Sequence, residues 1–141
     1  MNICLVFPPV SDPRGPHLAP AALAARLRQA GHTVTVKDLD LATLLYCLEP
    51  EVLGGYVRLA REKLDALDIH GPQSDWKTLA WRQKISQALE LALPATSRIQ
   101  NHLAALRSEA FYDPSCFNAA RRAIDACLGL ISACHDYDVT I

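Results

Sequence analysis

The stretch Ile3-Cys4-Leu5-Val6-Phe7-Pro8-Pro9 decides how this chain is read. A run that is apolar at every position is the mark of a strand buried on both faces, because a strand with one wet face alternates. The two prolines stop it, since neither has an N–H to give to a ladder. Beyond them, Val10-Ser11-Asp12-Pro13-Arg14-Gly15-Pro16-His17 is a loop dense in turn residues. From residue 18 to residue 30 the pattern becomes helical. Leu18, Ala22, Ala25 and Leu27 fall on one face, and Arg26, Arg28 and Gln29 point outward. Pro20 fits in the first turn, where a missing N–H costs nothing, and Gly31 stands where helices end in left-handed backbone. Thr33-Val34-Thr35-Val36 then reads as a second strand ending at Lys37-Asp38. Strand, Gly/Pro loop, helix, Gly, strand is a βαβ unit, whose crossover is right-handed and whose strands are parallel.

The remainder changes character. Residues 51–67 have helical periodicity, with Val52, Tyr56, Leu59, Lys63 and Leu67 near one stripe. Residues 69–74 (Ile-His-Gly-Pro-Gln-Ser) break it. Asp75 can cap a helix carrying Trp76, Leu79, Ala80, Ile85 and Leu89, and Pro94 is expected to separate it from another bearing Ile99, Leu103, Leu106 and Ala110. Asp113-Pro114 is a helix start in miniature, a capping carboxylate followed by proline at the first helical position. The helix it opens is expected to bury Phe117, Ala120, Ile124, Leu128 and Ile131. Residues 137–141 (Tyr-Asp-Val-Thr-Ile) look like the stub of a strand. The fold class is therefore α/β: a partial βαβ opening over residues 1–40, a mostly helical segment over 41–136 and the stub over 137–141. Two parallel strands, or three with the stub, are too few for a stable sheet that wants cover on both faces. The chain reads as a piece of a larger doubly wound domain; the stub completing a three-stranded sheet is the alternative.

Bulk properties narrow the partners. With 141 residues the chain is about one domain long, and its net charge of −1 offers no field of one sign to recruit nucleic acid or an anionic membrane. No apolar stretch approaches the roughly 18 residues of a membrane span. No basic region and cleavage site precede the first strand, so a cytoplasmic protein is expected. Cys4, Cys47, Cys116, Cys127 and Cys134 sit at unrelated spacings, which favours buried reduced thiols over a disulfide framework. No pair has zinc-knuckle spacing, and the CxxxCxxC loop of an iron–sulfur site is absent from the sequence. His17, His32, His70, His102 and His135 are scattered without metal-like pairing. No metal site and no catalytic constellation is expected within the chain.

In an open α/β sheet, ligands bind beyond the carboxyl ends of the strands, and the loop after the first strand occupies that edge. Pro8, Pro9 and Pro16 preset its shape, and Gly15 lets backbone approach a ligand closely. Ser11, Asp12 and His17 supply polar contacts, and Arg14 suits a phosphate or carboxylate. From spacing alone, a ligand loop and a stiff connection are equally good readings. A nicotinamide or flavin dinucleotide is disfavoured because its fingerprint needs GxGxxG here. Asp38 stands where a ribose-binding acid would, but without those glycines it reads as a strand-end cap.

Val-Phe-Pro-Pro-Val-Ser-Asp-Pro-Arg-Gly-Pro-His-Leu (residues 6–18) and the following Ala-Ala-Leu-Ala-Ala-Arg-Leu-Arg-Gln-Ala-Gly-His resemble the opening of the B12-binding domains fused to radical SAM domains. The likeness is greatest to the subgroup that matures ribosomally made peptides, in which a long helical insertion follows the second strand. Ala110-Phe111-Tyr112-Asp113-Pro114 and Leu130-Ile131-Ser132-Ala133 look like the close of that insertion. The resemblance implies a Rossmann-like fold and cobalamin as cofactor, contacted by Pro8, Pro9, Ser11, Asp12, Arg14, Gly15, Pro16 and His17 and by later strands that this sequence lacks. Methylcobalamin would supply the methyl group for an unactivated carbon of a peptide or other natural product. S-adenosylmethionine and a 4Fe-4S cluster would belong to a downstream domain, so this chain would be non-catalytic alone. The DxHxxG motif of proteins that give cobalt a histidine ligand is missing, and His17 follows Arg-Gly-Pro. The implied binding mode is base-off, without a protein histidine on the metal. The implied partner is the remainder of the enzyme or a separate subunit, with a substrate peptide as a further one. Two readings of other classes stand beside this: a cofactor-free helical module that grips a peptide or partner enzyme, and a free-standing small α/β enzyme.

Overall fold

A computed structural model describes residues 1–7, 18–69 and 75–135, with only the backbone of Ile69. The chain divides into two compact units, Met1–Tyr46 and Cys47–Ile141. In the first, β1 (Asn2–Phe7) and β2 (Thr33–Asp38) pair in parallel, in register from Asn2 opposite Thr33 to Phe7 opposite Asp38. The crossover helix α1 (Leu18–Gln29) packs on both strands. Gly31, at φ +81°, ends it as expected: the N–H of His32 reaches the Leu27 carbonyl and that of Gly31 the Arg28 carbonyl, at 3.1 and 3.0 Å. These two bonds satisfy carbonyls that the last helical turn leaves open.

β1 departs from the expectation of burial on both faces. Its residues alternate, with Ile3, Leu5 and Phe7 half-buried and Cys4 and Val6 exposed. Among the described residues the sheet has two strands, and α1 covers the face carrying Ile3, Leu5 and Val34. The face carrying Cys4, Val6, Thr35 and Lys37 is open. The inward line of α1 is Pro20, Ala24 and Leu27 instead of Leu18, Ala22 and Ala25; Leu18 is 78% exposed. A two-stranded sheet is too narrow to cover a broad helical stripe, and the small Ala24 marks the line of closest approach.

A helix absent from the sequence reading, α2 (Leu39–Cys47), follows β2 directly. Asp38 starts it by accepting the Leu41 N–H at 3.1 Å, so the residue read as a strand-end cap caps a helix.

The second unit is helical. α3 (Pro50–Ile69), α4 (Trp76–Thr96) and α5 (Ile99–Leu106) all pack against α6 (Pro114–Cys134), and a 3₁₀ turn at Glu109–Tyr112 joins the last two. Asp75 and Asp113 cap α4 and α6 as the sequence indicates, accepting from Thr78 N–H at 2.8 Å and Ser115 N–H at 2.7 Å. The core gathers Ala60, Ile85, Leu89, Ala92, Leu130, Ala133 and Cys134. On α6 the buried residues are mostly small: Ala120, Ala123, Cys127, Leu130, Ala133 and Cys134. Of the expected stripe only Ala120 is fully buried; Ile124, Leu128 and Ile131 flank it half-buried, and Phe117 is exposed. Three helices crowd one, so small side chains occupy the lines of contact and branched ones fill the margins. α4 buries Ile85, Leu89, Ala92 and Ala95, while Trp76 and Leu79 are exposed. Pro94 does not end it. The proline lies in the last turn, where its absent N–H deprives only the carbonyl of exposed Glu90, and the break falls at Ser97-Arg98.

Candidate functional site

At the carboxyl ends of β1 and β2 lies a cleft of about 280 Å³. It runs between the strands and α1, walled by Phe7, Pro20, Ala24 and Val36, with Arg28 and Asp38 as its polar groups. The chain order produces it. Phe7 ends the first strand, Pro20 lies in the first turn of α1, and Asp38 closes the second strand, so all three reach the end of the sheet where α/β folds bind ligands. Both polar groups are already engaged locally. The Arg28 guanidinium donates to the Val34 carbonyl at 2.9 Å, and Asp38 holds the start of α2. A guanidinium has five N–H donors, of which this bond uses one.

The loop residues singled out from the sequence, Pro8, Pro9, Ser11, Asp12, Arg14, Gly15, Pro16 and His17, lie outside the described residues. The residues that bracket them, Phe7 and Leu18, belong to the elements that form the cleft. Sequence reasoning missed Arg28, which it assigned to the outward face of α1. A cation one helical turn beyond the small residue Ala24 was the available signal.

The cleft is at the lower bound of pockets that enclose a small ligand, roughly 300–1,000 Å³. A cleft of about 280 Å³ is too small to bury a corrinoid macrocycle. Cobalamin would need further surface around it.

The helical unit contains a second group of polar and aromatic side chains, where α6 ends against α3 and α4. The Tyr56 hydroxyl and His135 Nε2 are 2.9 Å apart, with their rings edge to face. The Trp81 indole N–H donates to the Ala133 carbonyl at 3.3 Å, and the Lys63 ammonium lies 4.9 Å from the centre of the Trp81 ring. The Cys134 thiol donates to the Tyr56 carbonyl at 3.7 Å; burial raises its pKa, and the Lys63 charge opposes that in part. These contacts pin the end of α6 to its neighbours and do not line the strand-end cleft.

A shallower groove of about 460 Å³ runs between α4 and α6, floored by Ala88, Ala126 and Gly129 and edged by Lys84, Leu91 and Asp125. Among the described residues no three His, Cys, Asp or Glu side chains converge as a metal site would, and no helix is long and apolar enough to cross a membrane. The five cysteines are free; Cys127 and Cys134 are buried as expected, whereas Cys4 is exposed. The chain matches no protein-family model, and neither curated proteins nor solved structures give a match.

Proposed function

We propose that this chain is the cofactor-binding front end of a B12-dependent radical SAM enzyme, a C-methyltransferase acting on a ribosomal peptide or other natural product. The observation that carries the reading is the parallel βαβ unit with a cleft at the carboxyl ends of its strands, lined by Phe7, which lies within the stretch that bears the resemblance. Among the described residues the sheet has two strands, one open face and no strand beyond β1, which supports the reading because a doubly wound sheet has further strands and cover on both faces. In this reading Phe7, Pro20 and Val36 give an apolar wall to one edge of the corrinoid. Arg28 and the loop residues Ser11, Asp12 and Arg14 give polar contacts to its periphery. Bound cobalamin would supply methyl-transfer chemistry, while S-adenosylmethionine and the 4Fe-4S cluster belong to a separate domain. The chain's own task is to orient the cofactor and keep water from it.

The test is retention of hydroxocobalamin through gel filtration, by this chain together with the polypeptide that completes the sheet. The expected result is retained corrinoid with a shifted visible spectrum. A folded complex that releases all corrinoid overturns the reading. A second reading, a helical module that grips a peptide or partner enzyme, is favoured by the α4–α6 groove and by the 74% exposure of Trp76 and 66% of Leu91 on α4. A folded, corrinoid-free complex would be the outcome that selects it.

A further inference from the structure

The two edges of the β1–β2 sheet are built differently. Thr33 donates its N–H to the Met1 carbonyl at 3.0 Å, and this fixes the direction of every backbone group in the ladder. The N–H and C=O groups of Ile3, Leu5, Thr33 and Thr35 face the partner strand. Those of Val34 and Val36 face the outer edge of β2, and those of Asn2, Cys4 and Val6 face the outer edge of β1.

The β2 edge is obstructed. The Arg28 guanidinium occupies the Val34 carbonyl, and the strand ends in the charged pair Lys37-Asp38. Charged side chains on an edge are a usual device against further pairing. The β1 edge has none: Asn2-Ile3-Cys4-Leu5-Val6-Phe7 carries no charge and no proline. Among the described residues no strand pairs with that side.

We propose that the β1 edge is a self-association surface, on which a second copy of this chain docks its own β1 antiparallel across a two-fold axis at Cys4. The register follows from the backbone. Only residues whose groups face outward can exchange bonds, so Cys4 pairs with its counterpart and Asn2 with Val6 of the second copy. A two-fold centred on Cys4 is the one that uses all three outward-facing residues. It also matches the rows, with Ile3 opposite Leu5 on the α1 side and, on the exposed side, a central Cys4 pair flanked by Asn2 opposite Val6. Only Cys4 meets its own counterpart in this register, and because β1 carries no charge no like charges are set against one another. The product is a four-stranded sheet, β2-β1-β1-β2, with the obstructed edges outermost. The inference does not depend on the cofactor reading.

Sedimentation of the whole chain across a micromolar range should show a concentration-dependent dimer. A directly opposed, hydrogen-bonded pair has Cα atoms about 5.5 Å apart, within disulfide reach. Diamide should therefore join the dimer through Cys4, read by mass spectrometry of a non-reduced digest. Cys4→Lys, which sets two ammonium groups across the axis, should weaken association about tenfold or more. Val6→Lys should act in the same direction and Thr33→Lys should not, all three with unchanged far-ultraviolet circular dichroism. In the dimer the Cys4 and Val6 amides exchange slowly while those of Val34 and Val36 stay fast. A chain that is monomeric throughout, a dimer indifferent to both β1 lysines, or one cross-linked only through other cysteines overturns the proposal.

Discussion

Cys127 is fully buried on α6, where burial pushes its thiol up to about 11, while Cys4 stands exposed on the open row of β1. Because the thiolate is the reacting form, alkylation by iodoacetamide near pH 8 should mark Cys4 long before Cys127, as peptide mass spectrometry would show. The capping carboxylates act in the other direction. The Ser115 hydroxyl and the backbone N–H groups of Ser115 and Cys116 hold Asp113 below the ordinary carboxylate value of 3.8. Its folded-state pKa is lowered, so its contribution is whole above 3.8 and is lost as pH falls through the lowered value. Asp113→Ala should lower the thermal midpoint of the helical unit at neutral pH. Asp113→Asn should keep most of the cap and flatten the acid limb below pH 3.8, a difference that circular dichroism melts at several pH values would resolve. Within the cofactor reading, His17→Ala should leave the cobalt spectrum base-off and weaken binding only modestly. A change from nitrogen-ligated to base-off would show that a histidine does reach the metal.

Among the elements, the caps and stops were legible in the sequence except at Pro94, which does not end α4, and the buried faces were less so. Asp75, Asp113-Pro114 and Gly31 act through local geometry, within a few residues of themselves, and each does what its type dictates. The facing of a helix depends on how many neighbours it has. α6 meets three, so the line of closest contact passes through Ala123, Cys127 and Ala133, where no large residue stood out. Asp38 followed by an apolar run was a legible start for α2, overlooked because the same residue also ends a strand. Of the candidate site, the strand-end location and Asp38 could be read, whereas Arg28 had only its place one turn beyond Ala24 to mark it, since its direction depends on how α1 sits on the sheet. Measured costs should follow the observed faces. Ile85→Ala, at a fully buried position, should cost about 2–5 kcal/mol in urea unfolding, whereas Leu91→Ala, on the exposed side of the same helix, should stay within about 0.5 kcal/mol. At Gly31 an added Cβ meets nothing, so Gly31→Ala should cost only the left-handed backbone, about 1 kcal/mol.

At the scale of the whole chain, the two units differ in what they bury. The helical unit encloses a continuous core, whereas the first unit buries Ala24 and Val34 and leaves a sheet face open. Hydrogen exchange should accordingly be slow through α3, α4 and α6 and faster through β1 and β2. A polypeptide that completes the sheet should slow β1, and it should convert the self-associated chain to a monomer by taking the same edge. Uniformly slow exchange in a monomer without any partner would mean that the two-stranded unit is stable as it is. The chain has two tryptophans, and both stand on α4, Trp76 exposed and Trp81 half-buried; the first unit has none. Tryptophan emission, excited at wavelengths too long for Tyr46 to absorb, is thus a private signal of the helical unit, with one acrylamide-accessible fluorophore and one half-buried one, and it is blind to the sheet. If the emission curve and the far-ultraviolet curve separate in urea, the gap between them times the loss of the first unit, with no label attached.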